Sequence, residues 1–118
     1  MNSREKVLAS INHIEPDGLP VDLGATPSSG ISAVAYSNLN QYLGYADSRT
    51  QVYDIVQQLA QPEEAILDHF RIDAVDIGRT FNDRPEDWYE DVLPTSGTRV
   101  FLPAWFKPVK QPNGKYSI

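Results

Sequence analysis

The chain has 118 residues, no cysteine and a formal net charge of −6, with 16 acidic against 10 basic side chains. This acidic balance argues against a nucleic-acid-binding surface, which needs clustered lysine and arginine. No apolar run approaches the roughly 18 residues of a membrane span, and the charged amino terminus lacks the apolar segment of a signal peptide. The missing cysteines exclude disulfides and thiolate metal ligands within this chain. We therefore expect a cytoplasmic globular protein.

The amino-terminal stretch predicts one helix followed by a short buried strand. Ser3 is a suitable N-cap for a helix over residues 4–12, whose apolar side chains fall on one face. A turn rich in proline and glycine follows, and residues 21–23 predict a strand that Gly24 closes. A strand this early in the chain, followed by a loop of small residues, indicates the first β-unit of an α/β protein.

Three further helices are predicted after this strand. The first covers about residues 31–43 and ends at Gly44, a residue suited to a left-handed C-cap. The second covers residues 53–60. The third begins at Pro62, because proline is favoured in the first turn of a helix.

A second strand is predicted over residues 72–78, where Gly78 closes it. The order of strand, helices and strand is typical of a parallel sheet with a crossover connection. Both predicted strands end on an aspartate, an apolar residue and a glycine, and the two aspartates are Asp22 and Asp76.

The remainder of the chain has a different character. Residues 82–97 predict an acidic, turn-rich loop, and residues 99–106 have strand-forming composition. Asn113 and Gly114 form a dipeptide that strongly predicts a hairpin turn, with a returning strand over residues 116–118. Because the chain stops inside that strand, we expect the sequence to be a fragment of a longer protein.

Several of these stretches resemble a known family. Residues 4–13, the Glu-Pro-Asp of residues 15–17 and the Leu-Pro-Val-Asp of residues 19–22 resemble the amino-terminal opening of the uroporphyrinogen decarboxylase superfamily. The similarity is greatest to the branch that contains corrinoid- and cobalamin-dependent methyltransferases. It extends through shorter motifs at residues 30–36, 42–44, 52–60, 74–79 and 103–105.

The resemblance implies a (β/α)₈ barrel, which needs about 250 residues. This chain would supply the first part of that barrel, and its main partner would be the rest of the barrel. Residues 1–81 would hold the helices and the first two parallel strands. Residues 82–118 would form an acidic loop and a β-hairpin that leaves the barrel.

The resemblance also implies a reaction for the complete protein, namely methyl transfer between a methylated corrinoid and a thiol or pterin acceptor. A corrinoid protein would then be a partner, and zinc would be held by histidine and cysteine far toward the carboxyl end. We assign no metal ligand in this chain and expect it to bind no cofactor and to be inactive alone. Decarboxylases of the family carry arginines after the first strand, whereas residues 25–30 contain none. A polyanionic porphyrinogen would therefore lack its cationic clamp, which disfavours the decarboxylase alternative.

The candidate site residues follow the two predicted strands. Asp22 and Asp76 lie at carboxyl ends of strands, where barrel enzymes place their catalytic groups, so each is a candidate general base or substrate contact. The competing interpretation, which we favour, is that both carboxylates cap neighbouring loop amides. Arg79 could bind an anionic substrate or pair with Asp76, and the residues leave both open.

The histidines and the carboxy-terminal aromatic residues have simpler interpretations. His13 and His69 lack metal-ligand spacing, and each suits the end of a helix, where a cation is favoured. Trp88, Trp105 and Phe106 are expected to pack against a sheet rather than to line a binding site.

A second function of another class is a non-catalytic module. An unfinished parallel sheet exposes apolar surface and unpaired edges. The chain would then associate with itself or with another protein.

Overall fold

The computed structural model describes residues 1–78 and 82–117, which form a mixed α/β structure of helices and short strands. Its α-helices are α1 (Ser3–Ile11), α2 (Ala33–Leu43) and α3 (Glu64–His69). Its strands are β1 (Ile31–Ser32), β2 (Val52–Asp54), β3 (Leu59–Ala60), β4 (Trp88–Val92), β5 (Arg99–Pro103), β6 (Val109–Lys110) and β7 (Tyr116–Ser117).

Helix α1 begins one residue earlier than predicted. Asn2, rather than Ser3, is the N-cap, because its side-chain oxygen accepts the N–H of Glu5 at 2.9 Å. The Glu5 carboxylate accepts the N–H of Asn2 in return at 2.8 Å, which completes a capping box. The predicted α2 is confirmed, including its end at Gly44, whose φ of 80° is the left-handed conformation of a C-cap.

The helix predicted over residues 53–60 is wrong, because this stretch forms the hairpin of β2 and β3. The order of the three-stranded antiparallel sheet is β1-β3-β2, and Ala60 pairs with both Ile31 and Val52. The Asp54 carboxylate accepts the Gln57 N–H at 2.9 Å and so stabilises the turn between the strands. The apolar spacing of these residues also fits a helix, but the pairing of β3 with a strand on each side determines the structure.

The two predicted parallel strands are joined by a single isolated bridge. Asp22 and Ala74 form one isolated parallel bridge, and the Asp73 N–H donates to the Val21 carbonyl at 2.8 Å. The neighbouring segments therefore run parallel as predicted, but neither forms a regular strand. We call these segments, residues 21–23 and 73–76, the parallel pair. The described ranges contain no closed barrel.

The carboxy-terminal region contains two antiparallel hairpins. Strands β4 and β5 pair from Trp88 with Pro103 to Val92 with Arg99, so the acidic loop predicted over residues 82–97 is shorter than expected. The hairpin predicted at Asn113 is confirmed, since β6 and β7 pair around it.

Two groups of buried apolar side chains form the core. Tyr36 and Ile66 belong to one group, which packs α2 and α3 on β3. Val52 and Val100 belong to the other, which joins β2 to the β4–β5 hairpin. No helix within the described ranges is long and apolar enough to cross a membrane.

Candidate functional site

Asp22 and Asp76 lie on the adjacent segments of the parallel pair. Since Asp22 is opposite Ala74, Asp76 follows two residues further toward the carboxyl end of the neighbouring segment. Both side chains are exposed, and each carboxylate accepts a nearby amide. Asp22 accepts the Ala25 N–H at 2.9 Å, and Asp76 accepts the Gly78 N–H at 2.7 Å. These contacts agree with the loop-capping interpretation of both residues.

The space beside the parallel pair is small. A cavity of about 80 Å³ is lined by Asp76, Gly24 and Pro62 among others, and Asp22 does not line it. Gly24 has a φ of 83°, and a Cβ at this position would lie 3.0 Å from the Pro62 ring. Both the conformation and the contact therefore require glycine here.

Asp73 is a buried carboxylate at the centre of the parallel pair. Its side chain is only 2% exposed and pairs with Lys6 of α1, whose Nζ lies 2.7 Å from Oδ1. The Val21 N–H donates to Oδ2 at 2.9 Å. Hydrogen bonding from Lys6, with smaller contributions from Ser3 and Val21, lowers the pKa of Asp73 to about 2. Asp73 thus joins α1 to both segments of the parallel pair. The sequence does not predict these contacts, because Lys6 and Val21 lie far from Asp73 in the chain.

A second polar network holds the loop after α2. Tyr36, which is fully buried, donates its hydroxyl to Glu63 Oε1 at 3.2 Å and accepts the Glu63 N–H at 2.8 Å. The same Oε1 accepts the Ser48 hydroxyl and the Arg49 N–H, each at 2.8 Å. Burial raises the pKa of Tyr36 to about 12. This network fixes residues 48–49 against the start of α3.

A larger cleft, of about 580 Å³, lies between α2, the loop that follows it and the β4–β5 hairpin. We call it the Arg49 cleft. The Arg49 guanidinium carbon is 5.1 Å from the centre of the Phe101 ring, a cation–π arrangement. On the opposite strand of the hairpin, Glu90 accepts the Arg99 Nε–H at 2.7 Å. Residues that line the cleft include Asn40, Arg49, Thr50, Glu90, Arg99 and Phe101.

Sequence reasoning missed this cleft. Arg49 lies in a stretch that reads as a polar connector, and its aromatic neighbour is far away in the chain. The pairing that joins them is long-range, since the Phe101 N–H donates to the Thr50 carbonyl at 2.8 Å. No local motif carries that information.

The remaining candidates are distributed over the surface. Arg79 lies outside the described residues. His13 is exposed at the end of α1, and its φ is 58°. His69 contacts the Tyr45 hydroxyl through Nδ1 at 3.2 Å at the end of α3. Neither histidine lies at the parallel pair or in the Arg49 cleft.

The aromatic candidates divide into packed and exposed residues. Trp88 is buried and donates its indole N–H to the Asn82 carbonyl at 3.0 Å. Phe106 packs on the core and meets Trp105 edge to face, although Trp105 is 64% exposed. Packing therefore accounts for Trp88 and Phe106, whereas Trp105 lies largely in solvent.

The described residues contain no group of three histidine, aspartate or glutamate side chains that could hold a metal ion. The zinc ligands that the family resemblance implies would lie far toward the carboxyl end of the complete protein. No protein-family model matches the chain, and neither a curated protein nor a solved structure matches it.

Proposed function

We propose that this chain forms the opening part of a uroporphyrinogen-decarboxylase-like barrel in the branch of the corrinoid-dependent methyltransferases. The observation that carries the proposal is the parallel bridge between Asp22 and Ala74. Parallel neighbours require a long crossover connection, and here α2 and α3 lie within it. A parallel bridge with helices in its crossover is expected of the first two strands of a (β/α)₈ barrel, and the crossover here also carries the antiparallel sheet of β1, β2 and β3.

Exposed apolar side chains around the parallel pair support the same proposal. Leu19, Val75 and Ile77 are 84%, 58% and 89% exposed. Parallel sheets are normally covered on both faces, so further elements are needed to bury these side chains. In a complete barrel, the following strands and helices would cover them.

The reaction proposed for the complete protein is methyl transfer between a methylated corrinoid, brought by a corrinoid protein, and a thiol or pterin acceptor. Asp22 and Asp76 would lie at the barrel mouth, where they could orient a loop or contact the acceptor. The chain alone would be inactive. Decarboxylation of a porphyrinogen is the less favoured alternative, since residues 25–30 provide no arginine for its carboxylates.

The first test is the reading frame that follows residue 118. A downstream histidine and cysteine set with zinc-ligand spacing supports the proposal. The complete gene product is then incubated with methylcobalamin and a thiol, and methyl transfer is followed by the change in the corrinoid absorption spectrum. Absence of both zinc and methyl transfer to any tested acceptor would refute the methyltransferase assignment.

Two variants of the complete product test the aspartates. Asp22→Asn and Asp76→Asn should lower kcat if the carboxylates act on the acceptor, and leave it unchanged if they only cap loops. Asp68→Asn, on an exposed part of α3, is the matched control.

The second candidate is a non-catalytic module that associates with itself or with a partner. The exposed side chains of Leu19 and Ile77 favour it in the absence of further barrel elements. Sedimentation of the 118-residue chain distinguishes a monomer from a self-associated form. A monomer with one cooperative melting transition would exclude this candidate, whereas a concentration-dependent dimer that Ile77→Asp disrupts would support it.

A further inference from the structure

The turn of the β6–β7 hairpin has features of a modification site that are independent of the proposed reaction. Asn113 is the one asparagine of the chain that a glycine follows. Because glycine carries no Cβ, its backbone nitrogen is the least hindered of those that can follow an asparagine. We propose that Asn113 is a site of spontaneous deamidation, with water as the co-reactant and without an enzyme.

The reaction is an attack within the Asn113-Gly114 dipeptide. The Gly114 nitrogen loses its proton to water and forms a bond to Asn113 Cγ. The bond between Cγ and the side-chain nitrogen breaks, and that nitrogen takes a proton from water and leaves as ammonia. Water then opens the resulting succinimide ring at either of its carbonyl groups. One opening gives aspartate, and the other gives isoaspartate, in which the main chain passes through the side-chain carbons.

The first argument concerns the position of the Asn113 side chain. Its Oδ1 accepts the Lys115 N–H at 3.0 Å. This contact folds the amide back along the Gly114 peptide, a conformation that asparagine commonly adopts in turns. Negative charge develops on Oδ1 when Cγ is attacked, and an N–H that already donates to this oxygen stabilises that charge.

The second argument concerns the space around the reacting groups. Asn113 and Gly114 are both exposed, so water reaches them. Apart from neighbours in the chain, no heavy atom of residues 1–78 and 82–117 lies within 4 Å of the position that a Gly114 Cβ would occupy. The turn therefore has room for the succinimide ring.

The third argument concerns a contact that opposes the reaction. The Gly114 N–H donates to the Gln111 carbonyl at 2.9 Å, and the nitrogen can attack only after this bond opens. Strands β6 and β7 have two residues each, and the side chains of all of them are exposed. A hairpin this short, with no strand side chain buried, opens at little cost in free energy. The opposing contact therefore slows the reaction without preventing it.

Deamidation would change both the charge and the shape of this hairpin. Residues 92–118 contain no acidic side chain, and Lys107, Lys110 and Lys115 lie in or beside the hairpin. The aspartate product places a negative charge among these lysines. The isoaspartate product lengthens the main chain by a carbon atom at the turn, which disturbs the register that pairs Lys110 with Tyr116.

The experiment incubates the purified 118-residue chain at neutral pH and follows each asparagine by peptide mass spectrometry. Asn113 should gain the mass of a deamidation and give separable aspartate and isoaspartate peptides. The folded chain should react within about tenfold of the rate of the same chain unfolded in urea, because greater protection would require a hairpin stabilised by more than about 1.4 kcal/mol. Asn12, which is exposed and precedes His13, should stay unmodified over the same time.

The shape change has a separate readout. Nuclear Overhauser effects between Lys110 and Tyr116 should be present in the unmodified chain and in Asn113→Asp, and absent from the purified isoaspartate form. Their persistence in the isoaspartate form would refute the disturbance of the register.

Gly114→Ala separates the attack from the opening of the turn. The added Cβ hinders the attack, but it also strains a turn whose φ is 82° and so favours opening. Deamidation of Gly114→Ala should therefore be slower if the attack limits the rate, as the proposal requires. Three results would overturn the proposal: protection of the folded chain beyond the stated limit, equal rates at Asn113 and Asn12, or Gly114→Ala that reacts as fast as the unaltered chain.

Discussion

The antiparallel core and the parallel pair differ in how completely each is enclosed. In the core, Tyr36 and Val100 are fully buried, and Ile66 is 1% exposed. Beside the parallel pair, Leu19 and Ile77 are 84% and 89% exposed. The core can therefore be stabilised by its own apolar burial, whereas the parallel pair depends on one backbone bridge and on the ion pair of Asp73 with Lys6. The two regions should therefore respond differently to the same substitution.

The largest difference is expected for the removal of an isoleucine side chain. Ile66→Ala should lower the free energy of unfolding by about 2–5 kcal/mol, because it leaves a cavity between α3 and its neighbours. Ile77→Ala, the same change beside the parallel pair, should alter it by less than about 0.5 kcal/mol. Urea denaturation followed by circular dichroism measures both. Equal losses would mean that Ile77 is buried in solution, as in a self-associated form.

A smaller effect is expected for the hydroxyl group at the centre of the core. Tyr36→Phe keeps the ring but removes the group that bonds to the Glu63 carboxylate and N–H. We expect a loss of about 1–3 kcal/mol, since both Glu63 groups lose a partner. Tyr42→Phe is the control, because Tyr42 is 88% exposed. A neutral result for Tyr36→Phe would show that water replaces the hydroxyl.

The backbone of the two regions offers a third test. Gly44 ends α2 with a φ of 80°, so Gly44→Ala should cost about 1 kcal/mol for the left-handed conformation. Gly18 precedes the parallel pair and has open space around its Cβ direction, without a positive φ. Gly18→Ala should therefore change the free energy of unfolding by less than about 0.5 kcal/mol. Thermal melting of both variants checks the prediction, and a loss of equal size at Gly18 would contradict it.

Local signals in the sequence predicted the parts of this fold that local chemistry determines. Gly44 marks the end of α2, and the Asn113-Gly114 turn marks the last hairpin, because each uses a conformation that few residues adopt. The helix prediction for residues 53–60 was wrong for the opposite reason. Its apolar spacing fits a helix and a hairpin alike, and the choice depends on pairing with Ile31, which lies far away in the chain.

The candidate sites show the same limit. The parallel arrangement of the segments that carry Asp22 and Asp76 could be predicted, because each segment is rich in apolar residues and a glycine closes it. The Arg49 cleft could not, because Arg49 meets Phe101 only after the β4–β5 hairpin packs on β2. Long-range packing thus creates sites that carry no local motif.

The last prediction concerns the ion pair that holds the parallel pair, whose stabilisation of the folded chain is lost in acidic solution. The pKa of Asp73 is lowered from 3.8 to about 2 in the folded chain, so the unfolded chain takes up the proton first as the pH falls. The stabilisation is therefore complete above pH 3.8 and is lost as the pH falls toward 2. Asp73→Asn should remove this component of the acid dependence, whereas Asp68→Asn should retain it. Urea denaturation of each variant at a series of pH values provides the measurement. An unchanged acid dependence in Asp73→Asn would mean that Lys6 and Asp73 do not pair in solution, and that the single bridge alone joins the two segments.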